Sequence, residues 1–371
     1  MKIYKTNVKN INSRYSILIG FGAINQLKKN IRSVCPNTKK IALIFDKKIP
    51  NRMLNKVKRQ IRDYKIFVYK YSVNENLKSF EKVNSLNESL LAKNFNRNDL
   101  LIAVGGGVIG DFAGFAASIL KRGVNFINLP STLLAQVDSS IGGKTGVNSK
   151  KGKNLIGTFY QPKLVISELE FLKSLPRREI ICGFAEILKH SFISDKKFFE
   201  WIEKNTKKII NNKDYKILNS AIFKSCKIKI SFVQKDEKEK GDRAILNFGH
   251  TFAHGIEAAS NFSKKINHGE AVLIGMYLAS KLSKDKNICS KKTLGKIINF
   301  YKENSLPNNL KQFSLNNKLD KIIELMKNDK KNVDSKISLI LLKRIGKTTK
   351  PGRIKMTPKQ IRSSLKKFTL F

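Results

Sequence analysis

Histidine is scarce in this chain, four in 371 residues, yet three of the four fall at His250, His254 and His268. Two imidazoles at i and i+4 on a helix can grip one divalent metal. The glutamate of an H-E-x-x-H protease motif is missing, since Thr251 stands in its place, so metalloprotease chemistry is disfavoured. On a single helix, Arg243, Asn247, His250 and His254 would share one polar face, with Leu246, Phe248 and Ile256 pointing elsewhere. His268, just ahead of Gly269-Glu270, is a further candidate ligand at the start of another helix. A carboxylate would complete a site of two histidines and one glutamate with an open position. Glu186 is the best candidate, an acid among apolar residues in Gly183-Phe184-Ala185-Glu186-Ile187-Leu188-Lys189-His190, with Lys189 one helical turn on. His190 is also one turn from Glu186 and competes with it, so spacing alone leaves the ligand set open.

A second group of residues is suited to anions. The apolar run Leu100 to Val104 ends in Gly105-Gly106-Gly107-Val108-Ile109-Gly110-Asp111. Three glycines let the backbone approach a ligand closely, and the apolar run from Phe112 to Leu120 supports a helix whose first N–H groups can hold phosphate. The glycines satisfy G-x-G-x-x-G, a weak signal taken alone. The acidic residue that a Rossmann fingerprint wants about 20 residues later is absent from Phe126 to Ser131. Pro130-Ser131-Thr132, Gly142-Gly143-Lys144-Thr145 and Gly152-Lys153-Asn154 follow, each of a composition that meets anions.

The elements that must position these groups are legible from periodicity. Tyr15 to Gly20, Ile41 to Asp46, Ile66 to Tyr69, Leu100 to Val104, Phe126 to Leu129 and Leu164 to Ile166 read as strands alternating with helical patterns, the mark of a parallel sheet with helices on its faces. Ligands sit beyond the carboxyl ends of such strands, where Asp46, Gly105 to Asp111 and Ser131-Thr132 fall. Asp46 suits a ribose hydroxyl and equally a local cap. From Pro176 the text turns to long helical patterns, about Arg177 to Ile193, Phe198 to Ile210, Tyr215 to Lys235, Arg243 to Ser260 and His268 to Asn287. The tail adds two amphipathic pieces and a candidate strand from Ile337 to Leu342. The expected fold is a Rossmann-like parallel-sheet α/β domain over residues 1–175, followed by a mainly helical metal-binding domain over residues 176–371.

Composition narrows the class. With 41% apolar residues the chain can bury two cores. No apolar run is long enough for a membrane span and the start does not read as a signal peptide, so a cytoplasmic location is expected. Cys35, Cys182, Cys226 and Cys289 lie far apart without C-x-x-C spacing, which suggests neither disulfides nor a thiolate metal site. The net charge of +45 raises the question of nucleic acid. Lysine and asparagine are scattered through every segment, however, without an arginine–aromatic recognition cluster, and specific nucleic-acid binding is not expected. A basic field would instead favour phosphorylated, carboxylated substrates.

Together these segments resemble the 3-dehydroquinate synthase family of sugar-phosphate cyclases across nearly the whole chain. The most specific pieces are Gly105 to Asp111, Leu133 to Ser140, Gly142 to Thr145, Gly152 to Asn154, Gly183 to Lys189, Leu246 to His254 and His268 to Glu270. The resemblance implies an NAD- and zinc- or cobalt-dependent carbon–oxygen lyase, working as a homodimer. Its substrate would be 3-deoxy-D-arabino-heptulosonate 7-phosphate, converted to 3-dehydroquinate and phosphate on the shikimate route to aromatic amino acids. Steps of transient oxidation, phosphate elimination, re-reduction and aldol closure are implied with it.

By resemblance the metal ligands are Glu186, His250 and His268, which displaces His254 from the pairing that spacing suggests and gives it phosphate and proton handling. NAD contacts are implied at Asp46, Glu75, Lys78, Gly106, Gly107, Val108, Gly110 and Asp111. Others are implied at Ser131, Thr132, Asp138, Lys144, Lys153 and the segment Phe171, Leu172, Lys173 and Ser174. Substrate-handling residues are implied at Arg122, Lys144, Asn154, Lys189, Lys229, Arg243, Asn247, His254 and the Lys330-Lys331 pair. Two departures stand out: the family often has tyrosine where His190 stands and threonine where Ser131 stands. Another sugar-phosphate cyclase, or more distantly a glycerol-dehydrogenase-like enzyme, is the alternative reading.

Overall fold

The structure, a computed structural model, describes residues 2–9, 13–211, 214–327 and 336–366. It divides into two compact units, Met1–Ile180 with Asp214–Lys238, and Ile181–Lys213 with Glu239–Phe371.

The first unit carries strands β1 (Tyr4–Lys9), β2 (Arg14–Gly20), β3 (Lys40–Asp46), β4 (Lys65–Tyr71), β5 (Leu100–Gly105), β6 (Asn125–Pro130), β7 (Lys144–Ser149), β8 (Gly152–Phe159) and β9 (Leu164–Glu168). Helices α1 (Leu27–Val34), α2 (Asn51–Gln60), α3 (Phe80–Ala92) and α4 (Gly107–Ile119) connect them. Seven strands form one sheet in the order β1-β2-β9-β6-β5-β3-β4, parallel except for β1 against β2. The central strands are buried on both faces, which is why they read as continuous apolar runs. Leu43, Phe45, Ile102 and Val104 pack with Leu27, Ile31, Met53 and Val57, while Ala42, Ile44, Leu101 and Ala103 pack with Val83, Leu86, Phe112 and Ala116.

Strand order creates the ligand position. The chain passes from β3 outward to β4, and from β5 in the opposite direction to β6. The carboxyl ends of β3 and β5 therefore flank a topological switch point, with Phe45 beside Val104 in register. Strands β1, β7 and β8 escape the sequence pattern. β1 buries only Val8, and β8, paired antiparallel with β7, buries none of its residues, so neither shows an apolar periodicity.

From Arg177 the chain is mainly helical: α5 (Arg177–Ser194), α6 (Lys196–Ile210), α7 (Tyr215–Lys235), α8 (His250–Ala259), α9 (His268–Asp285), α10 (Lys291–Glu303), α11 (Leu319–Lys327) and α12 (Pro358–Lys366). Strands β10 (Ile337–Leu339) and β13 (Ile354–Met356) pair, as do β11 (Leu342–Arg344) and β12 (Lys347–Thr348). Helix α7 groups by its contacts with the first unit, although it follows the division expected at residue 175. Phe223 stacks on Tyr4 of β1 at 4.4 Å, Tyr215 meets Phe21 edge-on at 4.9 Å, and the Cys226 thiol donates to the Gln136 carbonyl at 3.3 Å.

The single helix expected over Arg243 to Ser260 is also broken. Asp242–Asn247 forms a 3-10 turn, and Gly249 at φ 80° separates it from α8. Arg243 and Asn247 therefore do not continue the helical face that carries His250 and His254. The cause is packing: a Cβ on Gly249 would lie 2.7 Å from the Met276 amide nitrogen of α9, and one on Gly275 would lie 2.1 Å from the Gly249 carbonyl. Only glycine allows α8 to start this close to α9.

Candidate active site

In the first unit the glycine turn sits at the end of β5, and α4 begins at Gly107 with Gly106 as its cap and no side chain serving the cap. Its first amide groups are thus left to a ligand, in the manner of dinucleotide phosphates at a helix N-terminus. A Cβ on Gly105 would fall 2.5 Å from the Ile109 side chain, so the tight exit from the strand requires glycine there. Gly107 faces Ser139 and Gly110 faces Asn128, each with little room to spare. The Ser131 amide donates to the Gly105 carbonyl at 2.9 Å, and Thr132 Oγ1 accepts from the Ala135 amide at 3.1 Å. Asp46, buried at the neighbouring strand end, accepts from the Lys48 amide at 2.9 Å, and burial raises its carboxyl pKa above the ordinary range. The local cap is thus present, and one carboxylate oxygen is committed to it.

A polar chain surrounds this turn. Lys78, buried to 4% exposure, binds the Asp111 carboxylate at 2.5 Å and also donates to Asn154 Oδ1. Burial raises the Asp111 pKa, and the Lys78 ammonium opposes that rise. Asn148, which nothing in its spacing marks, links the rest: it donates to Glu75 at 3.0 Å and accepts from the Asn154 amide at 3.0 Å. Lys153 lies 3.6 Å from Glu75. Lys229 on α7 holds Asp138 of the π-helical turn Ala135–Ser139 at 2.7 Å, with a further bond to the Asp138 carbonyl at 2.6 Å. Lys144 opens β7 and is exposed, as is Val108's neighbour Gly107 in part.

Three groups of predicted residues stand apart. Phe171 and Leu172 are buried, and Lys173 lies over the Phe21 and Tyr215 rings at 5.0 and 5.7 Å, with Ser174 closing that turn. Arg122 is exposed on a left-handed turn, φ 64°, after α4 and before β6. It therefore lies at the amino edge of the sheet, a helix length of about 20 Å from the glycine turn. The Lys330-Lys331 pair lies outside the described residues.

In the second unit, Glu186 on α5 is fully buried, and neither carboxylate oxygen has a hydrogen bond of good geometry. Lys189, one turn on, is its ion-pair partner. His250 Nε2 and His268 Nε2 converge on the same Glu186 Oε1 at 3.4 and 3.7 Å. The three ligand atoms lie within 4.8 Å of one another, the donor set of a divalent metal of the zinc class. Glycine again brings the helices together. A Cβ on Gly269 would lie 2.3 Å from the Cys182 Cα, so the first turn of α9 rests directly on α5 one turn before Glu186. A capping box between Asn267 and Glu270 starts α9 at His268.

The electrostatics separate the two imidazoles. Burial, assisted by the Lys189 ammonium, lowers the His250 pKa to about 4 against the pull of Glu186, leaving a neutral ring. Burial also works against charge on His268, but Glu257 and Glu186 outweigh it and raise the pKa to about 10. Burial alone would raise Glu186, yet Lys189 and the imidazoles hold it well below the carboxylate range. His254, one turn from His250 with ring centroids 5.7 Å apart, is exposed. Arg243 is buried, and Asn247 donates to Glu239 at 2.7 Å, a residue that sequence spacing did not mark and that holds φ 55°. His190 is fully buried on the same helix as Glu186.

Comparison with known proteins identifies the family. The 3-dehydroquinate synthase N-terminal family model matches residues 68–182, and the C-terminal one matches residues 183–332. The chain belongs to the 3-dehydroquinate synthase family. It is thus an enzyme of the sugar-phosphate cyclase group. The 3-dehydroquinate synthase of Pelagibacter ubique (strain HTCC1062) is 47% identical over 346 residues, covering 93% of this chain and 94% of that one. That of Caulobacter vibrioides (strain NA1000 / CB15N) is 39% identical over 90% of each chain. Among solved structures, a 2-deoxy-scyllo-inosose synthase complexed with carbaglucose-6-phosphate, NAD+ and Co2+ superposes with a TM-score of 0.88. It is 24% identical, covering 98% of this chain and 99% of that one, and this likeness shows the fold.

Proposed function

We propose that the chain converts 3-deoxy-D-arabino-heptulosonate 7-phosphate to 3-dehydroquinate and phosphate, using NAD and zinc or cobalt as bound catalysts. The observation that carries this reading is the convergence of two histidine Nε2 atoms on one oxygen of a buried glutamate, in a chain nearly half identical to a named synthase. Glu186, His250 and His268 would hold the metal. Asp46, Glu75, Lys78, the α4 amides from Gly107 to Asp111, Ser131, Thr132, Asp138, Lys144 and Lys153 would hold NAD. When bound, these groups supply hydride exchange and Lewis-acid polarisation of a hydroxyl.

The rest falls to side chains. Lys144, Asn154, Lys189, Lys229, Arg243 and Asn247 would supply charge-assisted hydrogen bonds to the carboxylate and phosphate. Glu239 keeps the Asn247 amide in one orientation. His254 would hold or pass a proton at an imidazole nitrogen as phosphate leaves. Holding one substrate conformer against fixed charges is an orientation and electrostatic contribution.

A homodimer is part of the proposal. It is implied by the resemblance and favoured by Arg122, whose place at the amino edge removes it from the glycine turn of its own chain. The cytoplasm suits four free, buried cysteines, and no described helix is long and apolar enough to cross a membrane. Incubation with the heptulosonate phosphate, metal and substoichiometric NAD tests the reaction. The expected result is many phosphates released per NAD with no net NADH. Net NADH from a polyol without phosphate release would move the assignment to a dehydrogenase.

A further inference from the structure

The two histidines that face Glu186 are oriented from behind by different partners. His250 Nδ1 lies 3.4 Å from the Phe248 carbonyl, the backbone two residues back. His268 Nδ1 lies 3.4 Å from Glu257 Oε2, a carboxylate on the neighbouring helix α8 with 15% of its side chain exposed. Glu257 is seven residues beyond His250, so the two share a helical face.

To bind a metal an imidazole must be neutral, with one proton, and the nitrogen that holds that proton cannot donate a lone pair. His268 stands between two carboxylates, Glu186 toward Nε2 at 3.7 Å and Glu257 toward Nδ1 at 3.4 Å. Each would draw the proton to its own side. With only Glu186 present, the proton would rest on Nε2 and block the atom that faces the site. Lys189 occupies Glu186 and weakens its pull, while Glu257 is nearer to its nitrogen. We infer that Glu257 is a positioning residue: it accepts the Nδ1 proton of His268 and so keeps Nε2 as the ligand atom. Carboxylates behind metal-bound histidines act in this way generally. The inference rests on the metal reading above.

The test compares Glu257→Ala and Glu257→Gln with the parent chain and with His268→Ala, each purified metal-free. Zinc affinity is read by chelator competition, the cobalt absorption spectrum reports ligand geometry, and thermal melts of the metal-free proteins report the fold. Glu257→Ala should bind zinc about 10- to 100-fold more weakly, with a changed cobalt spectrum and an unchanged metal-free melt. Glu257→Gln retains an oxygen acceptor and should recover most of the affinity. Zinc affinity of Glu257→Ala equal to the parent's overturns the inference, and so does a glutamine variant as weak as the alanine one, or a metal-free melt lowered in step with affinity. If His268→Ala also binds as the parent does, the metal site itself is misplaced. If only Glu257→Ala does, the site stands and the positioning role falls.

Discussion

Gly269 rests on Cys182 so closely that a Cβ added to it would come within 2.3 Å of the Cys182 Cα. This contact joins the helix that begins with His268 to the helix that carries Glu186, and it turns a small residue into a condition for the metal site. Gly269→Ala should force α9 away from α5, lowering stability by about 1–3 kcal/mol as overpacking does. Zinc affinity should fall beyond what the stability loss explains. The control is Gly295→Ala in α10, where nothing lies within 4 Å of the added methyl. That variant should gain about 0.5–1 kcal/mol, because alanine gives up less backbone entropy in a helix. Denaturant melts with zinc titration check both.

Removal of a ligand should be more severe and more specific. His250→Ala and Glu186→Ala should lose stoichiometric zinc and turnover together, since three protein ligands leave no surplus. His190→Ala should keep the metal, although it opens a cavity in a fully buried position and melts lower. Lys144→Ala should keep zinc and lose turnover, because Lys144 is exposed on β7 and is not among the ligands. Metal analysis beside phosphate-release assays separates these cases. Zinc lost from His190→Ala but retained in His268→Ala would reassign the site.

The sheet and its ligand edge were legible because β3, β5, β6 and β9 are buried on both faces and leave unbroken apolar runs between glycine and polar turns. Asp46, Gly105 and Ser131 could be placed at one edge for that reason. β1 and β8 bury too little to leave a pattern. Periodicity marked α7 correctly as a helix, yet it carries no information about which unit the buried face joins. The helix break at Gly249 was hidden as well, because its cause is the backbone of α9, some 25 residues away in sequence, and not a local signal. Glu186 announced itself as a charge among apolar residues. Glu257 and Glu239 did not, since a glutamate on a helix or in a lysine-rich loop reads as solvated until its partner is seen.

The four thiols should be inert in the folded protein. Burial pushes Cys35 up to about 11 and Cys226 up to about 12, and raises Cys289 as well, while Cys182 is buried under the Gly269 amide that donates to its sulfur at 3.2 Å. Thiolate is the reactive form, so an aromatic disulfide reagent at pH 8 should titrate no cysteine in the native chain and four after unfolding. Rapid labelling of one native cysteine would show that the local packing opens readily.

The Lys78–Asp111 pair yields a pH-dependent prediction. Burial raises the Asp111 pKa, and Lys78 is the main influence pulling it back. A carboxyl whose folded pKa is raised favours folding in its protonated form, so its ionisation costs stability as pH rises through the interval above the unfolded value. In Lys78→Met the compensating charge is gone and the pKa rises further. The variant should therefore lie closer to the parent in acid than near pH 8, where it should fall behind by about 1–3 kcal/mol, the cost of a half-buried group left without its partner. Asn154 also loses the ammonium that holds its Oδ1, so NAD affinity should drop in the same variant. Melts at pH 4 and pH 8 with NAD titration at pH 8 decide it: a stability loss independent of pH would mean that Lys78 acts through packing of its aliphatic stem and not through its charge.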